Sequence, residues 1–157
     1  LPYDLNGRPE QRTRLGRLLS HLSTRTVEEL TPGHPGLVPV AASGDDAAAS
    51  SSVLDAAVGF DPEAQSVLRH VLEIPPAEVD EVLRLVAQDR YERVEADGAG
   101  AGGAPAPTDP AGLETVAVAR VQKVDALHVS QERSRMAGVT ARHGGRAVLW
   151  QVLQIPA

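Results

Sequence analysis

The 157 residues contain no cysteine, which excludes disulfides and thiolate metal sites, and no apolar run approaches the ~20 residues of a membrane-spanning helix. Apolar residues make up 42% but aromatics only 3%, so the core must be assembled from Leu, Val and Ala, with Tyr3, Phe60, Tyr91 and Trp150 as its few bulky pieces. A formal charge of −6 makes the chain a poor general binder of nucleic acid, because phosphate backbones are held by clustered Lys and Arg.

The opening, LPYDLNGRPEQR, has no apolar signal-peptide core, and the expected compartment is cytoplasmic. Residues 1–40 read as a helical extension. Pro9 suits a first helical position, and Leu15, Leu18, Leu19 and Leu22 recur at i, i+3, i+4 and i+7, although Gly16 weakens the helix. Thr26-Val-Glu-Glu29 is a capping-box pattern for a second start, which Thr31-Pro-Gly33 stops. Arg8, Arg12, Arg14 and Arg17 make the first helix basic, and a solvated face is the expected reading over a docking helix. Residues 41–60 read as a low-complexity linker. AASGDDAAASSS offers too little apolar surface to offset the entropy of ordering, and VLDAAVGF (53–60) has no decisive period.

Residues 61–157 read as the folded domain. In SVLRHVLEI, Leu68, His70, Leu72 and Ile74 alternate with Val67, Arg69, Val71 and Glu73, the period of a strand. Pro75-Pro76 ends it and opens a helix with an apolar stripe of Val79, Val82, Leu83 and Val86. Glu78, Asp80 and Glu81 sit in its first turn, where acids favour the helix dipole. A short strand follows from Tyr91 to Ala96. Residues 97–112, rich in Gly, Ala and Pro, read as a mobile loop without the features of a phosphate loop. TVAVARVQKV (115–124) is extended and Val-rich. A helix from Ala126 to His143 stops at Gly144-Gly145, and AVLWQVLQI (147–155) is a strand apolar on both faces. The order β-α-β, loop, β-α-β predicts an α+β fold of the ferredoxin-like kind: a four-stranded antiparallel sheet with both helices on one face. Within it, Leu83→Asp is the change expected to disrupt most.

Catalytic constellations are missing. His128 and Glu132 stand one helical turn apart, but two ligands do not make a zinc site, and no metal or cofactor is expected. His70 falls in the apolar phase of its strand, as a core histidine does. The two central strands carry no aromatic residue, so the sheet lacks the stacking platforms of an RNA reader, and direct nucleic-acid binding is not expected. Arg69, Arg120 and Gln122 are read instead as a solvent-facing polar surface for a protein partner, joined by Glu73 and by the acidic Glu78, Asp80 and Glu81.

From Val67 to Gln154 the chain resembles the RraB family of ribonuclease E inhibitors. The similar parts are the strand–helix opening HVLEIPPAEVDEVLRLVAQDRYERV and the helix RSRMAGVTARHGG, which leads into the strand of Trp150. That family places a Gly-Tyr-x-Val-like second strand where Arg90-Tyr91-Glu92-Arg93-Val94 stands, and a Tyr-Asp-Gly-Trp strand where Arg146-Ala-Val-Leu-Trp150 stands. The resemblance implies a non-enzymatic regulator that binds an RNase E-type endoribonuclease and restrains it. Two other readings stay open on the residues alone. One is a small-molecule-sensing or dimerising domain, monomer or homodimer, and the other an enzyme using His70 or His128.

Overall fold

The computed structural model describes residues 2–10, 29–96 and 112–157. The Leu15–Leu22 stripe, the start of the capping box and nearly all of the 97–112 loop lie outside the described residues. The elements are β1 (Val38–Ser43), α1 (Ser50–Ala56), β2 (Ser66–Ile74), α2 (Val79–Ala87), β3 (Glu92–Val94), β4 (Glu114–Gln122), α3 (Ala126–Arg142) and β5 (Arg146–Gln154). They form one antiparallel sheet in the order β1-β5-β2-β4-β3.

Local chemistry sets the boundaries. Pro75 and Pro76 cannot continue the ladder of β2, and a single 3₁₀ turn at Pro76–Glu78 leads into α2. Asp125 caps α3, its carboxylate accepting from the His128 backbone N–H at 2.8 Å. At the other end Gly144 takes φ +75°, a left-handed conformation, and Gly145 N–H donates to Thr140 O at 2.8 Å to close the last turn.

Leu68, His70, Leu72 and Ile74 of β2 face the helices together with Val116 and Val118 of β4. Beneath α2 and α3 these strands meet Val79, Val82, Val86, Met136 and Val139. Val82 is fully enclosed, whereas Leu83 is only partly buried at the rim. The disruptive position is therefore Val82 rather than the Leu83 expected from the stripe. β2 and β4 lie side by side in register from Ser66↔Gln122 to Ile74↔Glu114.

The four-stranded, two-helix ferredoxin-like sandwich is corrected by a fifth strand and a third helix. β1 pairs along β5, with an irregularity between Pro39 and Ala41, and α1 packs on β1 and α3. Val38, Pro39 and Val40 come from the end of the stretch read as a helical extension, and α1 and the second half of β1 come from the stretch read as linker. Its composition is small and polar on average, but Ala41, Leu54 and Phe60 are placed to close over Leu68, Val129, Trp150 and Val152. A few well-placed apolar side chains offset the ordering entropy that the average composition could not. The coarser class, α+β, stands: helices packed on an antiparallel sheet.

The sheet face away from the helices is covered as well. Tyr3, Leu30 and Leu37 pack against Val67, Ala119, Val121 and Leu153. The strap of residues 2–10 is fixed by a two-way amide bond, Tyr3 N–H to Gln65 Oε1 at 2.8 Å and Gln65 Nε2 to Tyr3 O at 2.9 Å. Lys123 N–H adds a bond to Asp4 O at 3.1 Å. Gly7, at φ +68°, passes so close to Arg120 that a Cβ would meet its Cδ at 2.8 Å.

A buried charge network and a groove at Arg69

Two polar features lie on opposite faces of the central strands. The first is enclosed between the sheet and α3. Glu132, buried on α3, accepts from the Tyr91 hydroxyl at 2.9 Å and pairs with Arg120 at 3.2 Å and Arg135 at 3.4 Å. Arg120 donates through Nε to Gln122 Oε1 at 2.7 Å and through Nη1 to Asp89 O at 3.0 Å, and its guanidinium stacks 4.6 Å from the centroid of the Tyr91 ring. Arg135 ties the outer end to Asp89 at 2.7 Å. Each buried charge here has an opposite charge and hydrogen bonds, the condition under which a buried ion pair is tolerated.

His70 ends this network. Tyr91 donates its O–H to Glu132, so its oxygen is left to accept, and the His70 Nε2 contact at 3.4 Å fits a neutral ring protonated at Nε2. Burial first, then the charges of Arg120 and Arg133, push the His70 pKa down to about 3. Burial likewise holds the Tyr91 phenol well above its usual value. A histidine this hard to protonate stays neutral near pH 7. The same ring lines a cleft of about 240 Å³ between β5, α3 and the β1–α1 turn, shared with Trp150 and Arg133. The Trp150 indole N–H is buried there without an acceptor.

The second feature is on the opposite face. Arg69 points away from the helices and is 5% exposed. Its Nε donates to Gln151 Oε1 at 2.8 Å, a bond set by the cross-strand pairing of these residues. Its Nη2 has neither a partner nor solvent. Burial alone lowers its pKa, and no carboxylate pairs with it among the described residues. Arg69 lines a groove of about 850 Å³ roofed by residues 32–37 and walled by β3, with Glu92, Glu95 and Thr115 among the other lining residues.

The residues read from sequence as an exposed contact surface are mostly internal. Arg120 and Gln122 lie on the helix side, where Gln122 also donates to Leu5 O at 3.1 Å. Glu73 is buried and holds Arg146, whose Nε donates to its Oε2 at 2.8 Å. Among the acids of the α2 entrance, Glu78 takes His143 at 2.9 Å and Glu81 takes Arg84 at 2.6 Å, while Asp80 is exposed. Among the described residues, Arg69 is the one of the seven that lines either of these two cavities. The physical reason is coverage: the strap and α3 close both faces, so alternation in β4 selects between two interiors rather than between core and water.

Sequence reasoning missed Tyr91, Glu132 and Asp89 as one network and Glu92 as a groove wall. The His128–Glu132 spacing did single out Glu132, but His128 bonds Asp125 at 2.7 Å instead. Among the described residues no group of three or more His, Cys, Asp or Glu side chains is placed to hold a metal ion, and no helix is long and apolar enough to cross a membrane. No family model, curated protein or solved structure matches the chain.

Proposed function

We propose that this chain is a non-catalytic ligand-binding module whose groove at Arg69 takes the carboxylate or phosphate of a small molecule. One observation carries the reading: a guanidinium removed from water, charged, and left without a counter-ion beside an open groove. A buried charge costs several kcal/mol unless it is paired, and a buried polar group without a partner calls for a function or a missing ligand. The groove is also of the size small ligands occupy. With Nε already held by Gln151, Nη2 is the donor left without an acceptor, and an oxygen of such an anion would supply one.

Inhibition of an endoribonuclease, the expectation from the RraB resemblance, has no comparable support. Arg120 and Gln122 are internal, and Glu78 and Glu81 are already paired. The test is thermal unfolding and titration calorimetry with small carboxylates and inorganic phosphate, using chloride at matched ionic strength as control. A ligand at about a hundred times its Kd stabilises by about 2.7 kcal/mol. Arg69→Met is expected to abolish the effect. An equal response from the variant, or none from the native chain, defeats the proposal.

A further inference from the structure

The groove at Arg69 has a second charged wall. β3, β4 and β2 are paired so that Glu92 stands opposite Ala119, and Ala119 opposite Arg69. Directly paired residues project to the same face of a sheet, so these three form one rung on the groove side, which Gln151 extends onto β5. With strands spaced by about 4.8 Å, the backbones of Arg69 and Glu92 lie about 10 Å apart. Ala119, between them, is enclosed under the residues that cover this face, and β4 lines the groove with Ala117 of the next rung, Val71–Ala117–Val94, and with Thr115. Small side chains therefore line the groove between a cation at one side and a carboxylate at the other.

Both charges are unspent. Glu92 is exposed and makes no ion pair among the described residues, and Arg69 has none either. Arg93, the neighbour of Glu92 on β3, also reaches the groove but pairs with Glu114 at 3.2 Å. Glu95 brings a second carboxylate to the same wall. A simple anion would satisfy Arg69 but meet repulsion from Glu92 and Glu95. A molecule with opposite charges at its two ends satisfies both sides.

Building on the proposed anion site, we infer that the groove selects a small zwitterion of the amino-acid class, its carboxylate on Arg69 and its ammonium on Glu92. The small side chains lining the groove leave room for a short carbon chain between them.

The test is calorimetry on the full chain with two matched pairs, 4-aminobutyrate against butyrate and glycine against acetate. At least one zwitterion is expected to bind about tenfold tighter than its matched carboxylate, the size of one charge-assisted hydrogen bond. Glu92→Gln, a substitution at an exposed position, is expected to erase that preference while butyrate binds at least as tightly as before, because one repelling carboxylate is gone. Equal affinities within both pairs, or a preference that survives Glu92→Gln, overturn the zwitterion assignment and leave the anion site standing. Binding of neither class removes both.

Discussion

His70 gives the most quantitative handle on this fold. Its pKa is held at about 3 in the folded chain, against 6.5 for an ordinary histidine. Between those values the unfolded chain binds a proton that the folded chain refuses, so stability falls as pH drops from 6.5 towards 3. Each unit corresponds to about 1.4 kcal/mol, which gives about 2 kcal/mol lost by pH 5 and about 5 kcal/mol by pH 3. The cause is local: the ring is enclosed, Tyr91 is its hydrogen-bond partner, and the neighbouring cations Arg120 and Arg133 oppose a further positive charge. Urea unfolding of the native chain and of His70→Gln at pH 7.5 and pH 5 isolates the effect, because the remaining histidines and carboxylates are common to both. The gap between the two proteins is expected to shift by about 2 kcal/mol over that interval, the native chain losing more. Parallel slopes, or an NMR titration in which the His70 ring protonates near 6.5, would refute the reasoning.

Three further outcomes follow from the geometry. Arg69→Met, without ligand, is expected to raise stability by about 1 kcal/mol or more, because an unpaired buried charge gives way to an apolar side chain of similar length; chemical denaturation measures it. Glu132→Ala is expected to cost about 3–5 kcal/mol, since Arg120 would be left enclosed and Tyr91 without its acceptor, and a far smaller loss by the same assay contradicts the network. Val82→Asp is expected to prevent folding at 25 °C, whereas Leu83→Asp is expected to leave a folded chain of lower melting temperature; circular dichroism separates the two.

How much of this was legible in the sequence depended on whether one period settled the question. The alternation of Leu68, His70, Leu72 and Ile74 and the stripe of Val79, Val82 and Val86 have one physical solution each, and both elements are where the residues put them. β1 and α1 were hidden because Ala and Ser carry little signal of their own, and the burial of Leu54 and Ala41 depends on α3 and β5, elements far along the chain. The site was half visible. Arg69 could be placed on the face away from the helices by counting in twos, but its enclosure depends on residues 2–10 and 29–37 folding back over the sheet. Arg120 misled for a related reason. It shares a phase with Val116 and Val118, so the same counting puts it inside, and only its charge argued for water.

The two borders of the sheet also shape how copies of the molecule meet. β3 is only three residues long, and β1 is interrupted where Pro39, lacking an N–H, breaks the regular pairing before Ala41. Neither margin offers a long straight template, so ribbon growth by strand addition from one copy to the next has little to start from, and concentrated samples are expected to stay as discrete particles.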